Sequence, residues 1–357
     1  MVAARPQGAA NRRARRPIVD AEVHCLVEGE QTLVPYLPQR WRRHLELFGA
    51  RIPTGGGPAV PSARAEGGRP DGAVSELARL REELLEGRGV ELGVLIPLSG
   101  AGRSNNLELD AALARAVNDW QIAEWLEPEP RLRGSVVVPY EDAGLAVEEI
   151  ERRAPDRRFV QVQLTGNLRS PMGDRRYWPI YQAAERHGLP VCAHAFGGSG
   201  YPTTGAGWPS FGIEERIAPA QAMQANVVSL VFNGVFERFP GLRVVSAGCG
   251  FGWAPPLLWR LDGCWKLLKD EVPELKRLPS EYVREQLYLS VQSLEPPLFA
   301  GELRRTVAHL EADDRLLYGS DYPWRDAEWP EHGLALDPGI EEKILHGNAR
   351  ALYASRL

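Results

Sequence analysis

This 357-residue chain lacks most of the features that mark specialised protein classes. It has four cysteines with no disulfide-framework spacing, so we expect reduced thiols and a cytoplasmic protein. No apolar run is long enough to cross a bilayer. The formal net charge of −5 offers no electrostatic basis for binding nucleic acid. With 44% hydrophobic and 25% charged residues, the composition is that of an ordinary globular protein with ample core.

Two segments have compositions that do not predict packed structure. Residues 1–16 contain arginines with no following apolar region, so we expect a disordered basic tail rather than a signal peptide. Arg51–Asp71 is rich in Gly, Pro, Ala and Arg, which predicts a loop that is either disordered or a lid. We expect residues 17–357 to form a single domain that contains this loop.

Eight short apolar runs recur along the chain, separated by segments with helical periodicity. Most runs are rich in Val, Leu and Ile with little polar alternation, which is typical of parallel strands covered on both faces. The runs are Ile18–Cys25, Leu92–Leu98, Ser135–Pro139, Phe159–Leu164, Val191–Ala195, Leu242–Ala247, Leu287–Gln292 and Leu316–Asp321. The helical segments are Val74–Gly87, Asn106–Leu126, Gly144–Ala154, Trp178–His187, Pro219–Phe236, Pro255–Leu268 and Gly301–His309.

This alternation of strands and helices predicts an α/β fold, a (β/α)₈ TIM barrel with loop insertions at its C-terminal face. The alternative is a doubly wound open sheet, which would need a glycine-rich phosphate turn after its first strand. The first apolar run is not followed by such a turn.

An acid and an imidazole stand two residues apart at the end of the first run. Glu22 and His24 would share one face of a strand, because side chains i and i+2 point to the same side. His194 comes at the end of the fifth run and Asp321 ends the eighth. Barrel strands meet at one mouth, so we expect these four side chains to converge. Two carboxylates and two imidazoles suit one divalent metal, with Zn²⁺ preferred over Mn²⁺ and Fe²⁺.

The competing interpretation is that His24 and His194 are hydrogen-bonded barrel residues that hold no metal. Four ligand-type residues at three separate strand ends favour the metal site. In that site Asp321 and His194 are the candidate catalytic residues, with Asp321 serving as both ligand and proton carrier. Cys192 shares a face with His194, but no general base is placed for it, so a packed thiol is preferred over a nucleophile.

Five other side chains have weaker claims to the pocket. Gln292 ends the seventh run and is predicted to bind substrate, with barrel packing or a helix cap as the alternatives. Arg169 follows the fourth run, where it would pair with an anionic substrate or belong to a solvated basic loop. Tyr201 and Trp208 lie in the glycine-rich segment after His194, and Trp324 follows Asp321. These aromatic side chains would cover or wall the pocket, with simple packing as the alternative.

Several segments around these residues match a known pattern. They are VDAEVH, VPYLPQRWR, AVNDW, RYWPIYQAAERHGLPVCAHA, GVFERFPGLRVV, GFGWAPPLLWRLD, YGSDYPW and KILHGNARALY. Together they resemble the amidohydrolase-2 family of the amidohydrolase superfamily, which includes the aminocarboxymuconate-semialdehyde decarboxylase-like enzymes. The resemblance implies a metal-bearing (β/α)₈ barrel in which Glu22, His24, His194 and Asp321 match the metal ligands. The Glu-x-His motif is similar to that of non-oxidative aromatic-acid decarboxylases in this branch.

Three positions depart from what the resemblance implies. The family often carries His or Glu where strand 6 ends, whereas Ser246–Cys249 supply neither. Trp324 stands where relatives often have a histidine after SDYP, and Gln286 replaces a histidine common before strand 7. The usual second catalytic imidazole is therefore missing.

The residues and the resemblance predict a metal-dependent enzyme with a small-molecule substrate. Our first expectation is hydrolysis of an amide, ester or lactone, because water activation needs only the metal and Asp321 as base. The alternative is non-oxidative decarboxylation of an aromatic or unsaturated carboxylic acid, which the Glu22-x-His24 motif supports. A second alternative is a diverged barrel with lost or altered chemistry, for example in a biosynthetic pathway or as a binding protein. We expect neither nucleic-acid nor membrane partners, and we expect a homodimer.

Overall fold

Eight parallel strands pair in sequence order and form a nearly closed barrel. The structure is a computed structural model that describes residues 16–25, 27, 30–48, 76–98, 106–194, 202, 204–205, 207–291, 300–323 and 336–357. The strands are β1 Ile18–Val23, β2 Val90–Leu95, β3 Leu132–Val137, β4 Phe159–Thr165, β5 Val191–His194, β6 Val244–Ala247, β7 Leu287–Ser290 and β8 Leu316–Leu317. The predicted (β/α)₈ fold is confirmed, and the strand order excludes the doubly wound alternative.

The helices follow the strands along the chain. They are α1 Glu30–Leu33, α2 Gln39–Phe48, α3 Glu76–Leu80, α4 Leu107–Gln121, α5 Ala143–Arg153, α6 Trp178–Arg186, α7 Gly212–Phe232, α8 Val235–Arg238, α9 Ala254–Leu268, α10 Pro279–Gln286, α11 Ala300–Leu310, α12 Pro338–Glu342 and α13 Asn348–Leu352. Helix α7 begins before the predicted start at Pro219, which lies inside it. Among the helices built from described residues, none has the length and apolar character needed to cross a membrane.

Two apolar layers give the barrel its core. One cluster contains inward-facing strand residues such as Val94, Cys192, Val245 and Leu317, together with Tyr353 from the C-terminal end. A larger cluster joins the outer faces of the strands to the helices. Strands buried on both faces in this way produce the continuous apolar runs seen in the sequence.

The AVNDW segment shows how a helix is fixed to the barrel. Asn118 on α4 donates from Nδ2 to Val137 O at 2.9 Å and accepts from Val137 N at 2.9 Å. Its amide therefore satisfies both backbone groups of one residue of β3. This pairing sets the position of α4 against the sheet.

Backbone hydrogen bonds between β1 and the segment after β8 close the barrel. His24 N donates to Tyr322 O at 2.8 Å, and Asp321 N donates to Glu22 O at 3.2 Å. Residues from the two ends of the chain are thereby brought side by side at the mouth.

Candidate metal centre

Four side chains meet at the C-terminal mouth of the barrel. Glu22 lies in β1, His24 directly follows that strand, His194 ends β5 and Asp321 follows β8. Each offers a ligand-type atom, and these atoms all lie within 4.8 Å of one another. The structure thus brings together the four residues singled out in the sequence, while their binding of an ion stays a prediction.

The donor set fits a divalent cation. His24 Nε2 lies 2.9 Å from Asp321 Oδ1 and 3.7 Å from Glu22 Oε1, and His194 Nε2 lies 3.4 Å from the same Glu22 oxygen. Glu22 Oε1 is buried, and no hydrogen-bond donor to it is found among the described residues. A buried carboxylate oxygen is costly unless positive charge compensates it, so this arrangement supports a cation between the four groups.

The electrostatics of the cluster also favour positive charge. Burial lowers the pKa of His24, but the close contacts with Asp321 and Glu22 and the charges of both outweigh it and raise that pKa to about 10. Burial raises the pKa of Glu22, but the contacts with His194 and His24 outweigh it and hold that pKa below its usual range. Glu22 therefore stays ionised and attracts positive charge.

The backbone after β2 sets the orientation of His24. Its Nδ1 lies 2.9 Å from Ile96 O, and because a carbonyl oxygen can only accept, Nδ1 is the donor. With a cation bound and the ring neutral, the lone pair of Nε2 would face the space between the carboxylates, which is how metal-binding histidines are commonly held.

Glu22 is fixed by two donors that the sequence did not single out. Ser290 Oγ donates to Glu22 Oε2 at 2.6 Å, and Gly248 N donates to the same oxygen at 3.1 Å. Both act on Oε2, so Oε1 is the oxygen that faces the histidines. Ser290 ends β7, and its place as a polar residue at the end of an apolar run is the signal that could have revealed it.

Two glycines allow the backbone to approach these side chains closely. Gly248 has φ +68°, and a Cβ there would lie 2.7 Å from His194 Nε2 and 3.0 Å from Glu22 Oε1. At Gly319 a Cβ would lie 2.6 Å from Ser290 Oγ. The end of β6 therefore contributes a backbone amide where the family resemblance implies a His or Glu side chain.

Asp321 differs from the other three residues in conformation and exposure. Strand β8 ends at Leu317, so Asp321 lies in the following segment rather than at the strand end as predicted. It has φ +54°, a left-handed conformation that Asp tolerates better than most residues. Its side chain is 21% exposed, compared with 9% for His194 and 0% for Glu22 and His24.

Asp20 is a buried acid that the sequence reasoning missed. Its Oδ1 accepts from Glu22 N at 3.1 Å and from Ser320 N at 3.0 Å, which ties β1 to the segment before Asp321. Burial is the main cause that raises the pKa of Asp20 to about 7. Asp20 lies two residues before Glu22 in the same apolar run, and this spacing could have identified it as a further acid near the site.

Of the other sequence-predicted site residues, the structure describes Trp208 and Arg169, and neither belongs to this group. The Trp208 side chain is 65% exposed. Arg169 is also exposed, and its backbone N–H donates to Glu141 Oε1 at 3.2 Å. Tyr201, Gln292, Trp324, residues 1–15 and Arg51–Asp71 lie outside the described residues. Arg16 pairs with Glu341 at 2.7 Å. The predicted roles of these side chains in substrate binding stay predictions.

Comparison with known proteins decides the family. The amidohydrolase family model matches residues 58–354. This chain belongs to the amidohydrolase family. The match confirms the resemblance drawn from the motifs, although it begins after Glu22 and His24.

Two characterised relatives are decarboxylases. The gamma-resorcylate decarboxylase of Polaromonas sp. is 27% identical over 268 residues, which is 67% of this chain and 76% of that protein. The 2-amino-3-carboxymuconate-6-semialdehyde decarboxylase of Dictyostelium discoideum is 25% identical over 245 residues, which is 66% of this chain and 65% of that protein.

Solved structures share the barrel of this amidohydrolase-family chain. An amidohydrolase from Mycobacterium avium subsp. paratuberculosis has a TM-score of 0.70 at 19% identity, covering 95% of this chain and 99% of its own. The dihydroxybenzoic acid decarboxylase of Polaromonas sp., with bound manganese and the inhibitor 2-nitroresorcinol, has a TM-score of 0.64 at 20% identity. That comparison covers 96% of this chain and 97% of the other. At these identities the likeness concerns the fold.

Proposed function

We propose that this protein is a metal-dependent decarboxylase of a small aromatic carboxylic acid. The observation that carries the proposal is the group of two carboxylates and two imidazoles at the mouth of a barrel whose relatives are decarboxylases. These relatives favour the alternative reaction over the hydrolysis that the sequence analysis put first. The manganese in the Polaromonas structure makes Mn²⁺ a candidate beside Zn²⁺.

Glu22, His24, His194 and Asp321 would hold the cation. When bound, a divalent cation supplies the electrostatic attraction that draws an anionic carboxylate into the site and stabilises charge that develops there. Glu22 and His24 are fully buried, so the inner side of this site excludes water. A dry pocket strengthens the attraction between the site and an anionic substrate.

Asp321 is the best placed proton carrier in the group. Its side chain is the most exposed of the four, so it can exchange protons with solvent. In decarboxylation the bond between the ring carbon and the carboxyl carbon breaks, and its electron pair stays on the ring carbon. That carbon takes the proton delivered by Asp321, carbon dioxide leaves, and Asp321 regains a proton from solvent. Gly248 offers no side chain that could act instead at the end of β6.

The test separates release of carbon dioxide from incorporation of water. Protein loaded with Mn²⁺ or Zn²⁺ is given gamma-resorcylate in deuterated water, and simple aryl esters, anilides and lactones in parallel reactions. We expect carbon dioxide and resorcinol in equal amounts, with one deuterium on the ring carbon that carried the carboxylate. His194→Ala serves as the metal-deficient control. Turnover of the esters, anilides or lactones with no carbon dioxide from aromatic acids would restore hydrolysis as the function.

A further inference from the structure

Gln163 is a buried polar residue on β4 whose amide reaches the wall of the mouth. Its Nε2 donates to Pro97 O at 2.6 Å. The carbonyl just before it, Ile96 O, is the one that orients His24. Two consecutive carbonyls after β2 therefore accept hydrogen bonds from His24 and Gln163. Both side chains thus lie against the same short segment at the mouth of the barrel.

The pairing of β4 with β5 shows where Gln163 points. Thr165 lies beside His194, and Gln163 lies beside Cys192. Residues paired in register on neighbouring strands point to the same face, and Cys192 belongs to the inner cluster. Gln163 therefore points into the barrel, one inward-facing layer below His194.

Among the described residues, none donates a hydrogen bond to the amide oxygen of Gln163. The residue is 6% exposed. The orientation of the amide is fixed, because Pro97 O can only accept and must face Nε2. A buried acceptor with no donor is destabilising, so it needs a reason to persist.

Gln161, two residues earlier on β4, makes a useful comparison. Its Nε2 donates to Ser135 Oγ at 2.9 Å, and its Oε1 accepts from Tyr353 OH at 2.7 Å. The floor of the barrel thus satisfies both ends of one glutamine, whereas Gln163, on the mouth side of it, has a described partner at its Nε2 end alone. This contrast indicates that a bound ligand supplies the hydrogen-bond donor to Gln163 Oε1.

We propose that Gln163 Oε1 accepts a hydrogen bond from a hydroxyl or amino group that the substrate carries next to its carboxylate. The inference rests on the proposed decarboxylase function and makes Gln163 a specificity-determining residue. An amide oxygen repels a carboxylate oxygen, so the acid must turn a donor toward this wall while its carboxylate faces the four-residue donor set. Acids with a donor at the ortho position satisfy both requirements, and unsubstituted benzoates do not.

The test measures binding without turnover. Manganese-loaded protein is titrated calorimetrically with 2-hydroxybenzenesulfonate and 2-fluorobenzenesulfonate, which cannot lose carbon dioxide and differ in one donor group. We expect the wild type to bind the hydroxy compound at least about tenfold more tightly. Gln163→Met should reduce this preference about tenfold by weakening the hydroxy compound alone. Gln163→Glu, which keeps an acceptor, should retain the preference.

Gln161→Met is the matched control, since it alters the interior without removing the open acceptor, and it should keep the preference of the wild type. Equal preferences in the wild type and Gln163→Met would overturn the contact, and so would an equal loss of affinity for both compounds. The outcome is independent of the reaction. If the preference for the hydroxy compound depends on Gln163 but no carbon dioxide is released, only the proposed decarboxylation is wrong. If carbon dioxide is released but the preference does not depend on Gln163, only the proposed contact is wrong.

Discussion

Ser290 Oγ donates a hydrogen bond of 2.6 Å to Glu22 Oε2, which links the end of β7 to β1 next to the candidate metal centre. Gly248 N adds a second hydrogen bond to the same oxygen. One oxygen of Glu22 is thus occupied by the protein, and the other faces both histidines. This division predicts that Glu22 would coordinate a cation through a single oxygen.

Removing the hydroxyl of Ser290 should therefore weaken metal binding without altering the fold. Loss of a hydrogen bond that orients a ligand typically costs about 10- to 100-fold in metal affinity. We expect a loss of that size for Ser290→Ala, measured by competition with a chelator. Ser246→Ala is the control, because Ser246 is also buried on a neighbouring strand and its Oγ has no partner within the described residues. Wild-type affinity in Ser290→Ala would show that Gly248 N alone suffices to hold Glu22.

Gly248 and Gly250 provide a matched pair for testing whether the site needs the close approach of the Gly248 backbone to His194 and Glu22. Their φ angles are +68° and +63°, so alanine at either position carries a similar left-handed strain, about 1–2 kcal/mol. A Cβ at Gly248 meets His194 and Glu22, whereas a Cβ at Gly250 meets no atom of the described residues within 4 Å. We expect both variants to lose similar stability in urea unfolding and only Gly248→Ala to lose its metal. Full metal content in Gly248→Ala would mean that His194 and Glu22 can move aside.

The sequence predicted the barrel and the four-residue group because both depend on local patterns. Apolar runs covered on two faces locate the strands, and acidic or imidazole side chains at their ends locate the mouth. The close contacts could not be predicted in this way. The amide of Gly248 contacts Glu22, which lies 226 positions away in the chain. Local periodicity cannot predict a contact between residues so far apart in sequence. Strand β8 is shorter than its apolar run, because Tyr318 N donates outside the ladder to Ile344 O.

Replacing Asp321 by asparagine should cost far more rate than substrate affinity. Asparagine tolerates the left-handed backbone of this residue and keeps its shape, but it cannot deliver a proton. General acid–base catalysis contributes about 10² to 10⁴ in rate, so we expect kcat to fall by that factor with little change in KM. The metal content of the variant is measured alongside, because Asp321 is also a candidate ligand. Near-normal kcat in a fully metallated Asp321→Asn would assign the proton transfer to another residue.

Cys192 is expected to be inert although it lies one inward-facing layer below His194. Its side chain is fully buried in the inner cluster, and that burial raises the pKa of the thiol well above its usual value. The thiolate is the reactive form, so a raised pKa keeps Cys192 protonated and unreactive at neutral and mildly alkaline pH. Iodoacetamide followed by mass spectrometry should therefore label the exposed Cys264 and leave Cys192 unmodified. Cys192→Ala should retain substantial turnover, since it removes a packed sulfur and no reacting group. Rapid labelling of Cys192 with a matching loss of activity would instead identify a thiol that takes part in the reaction.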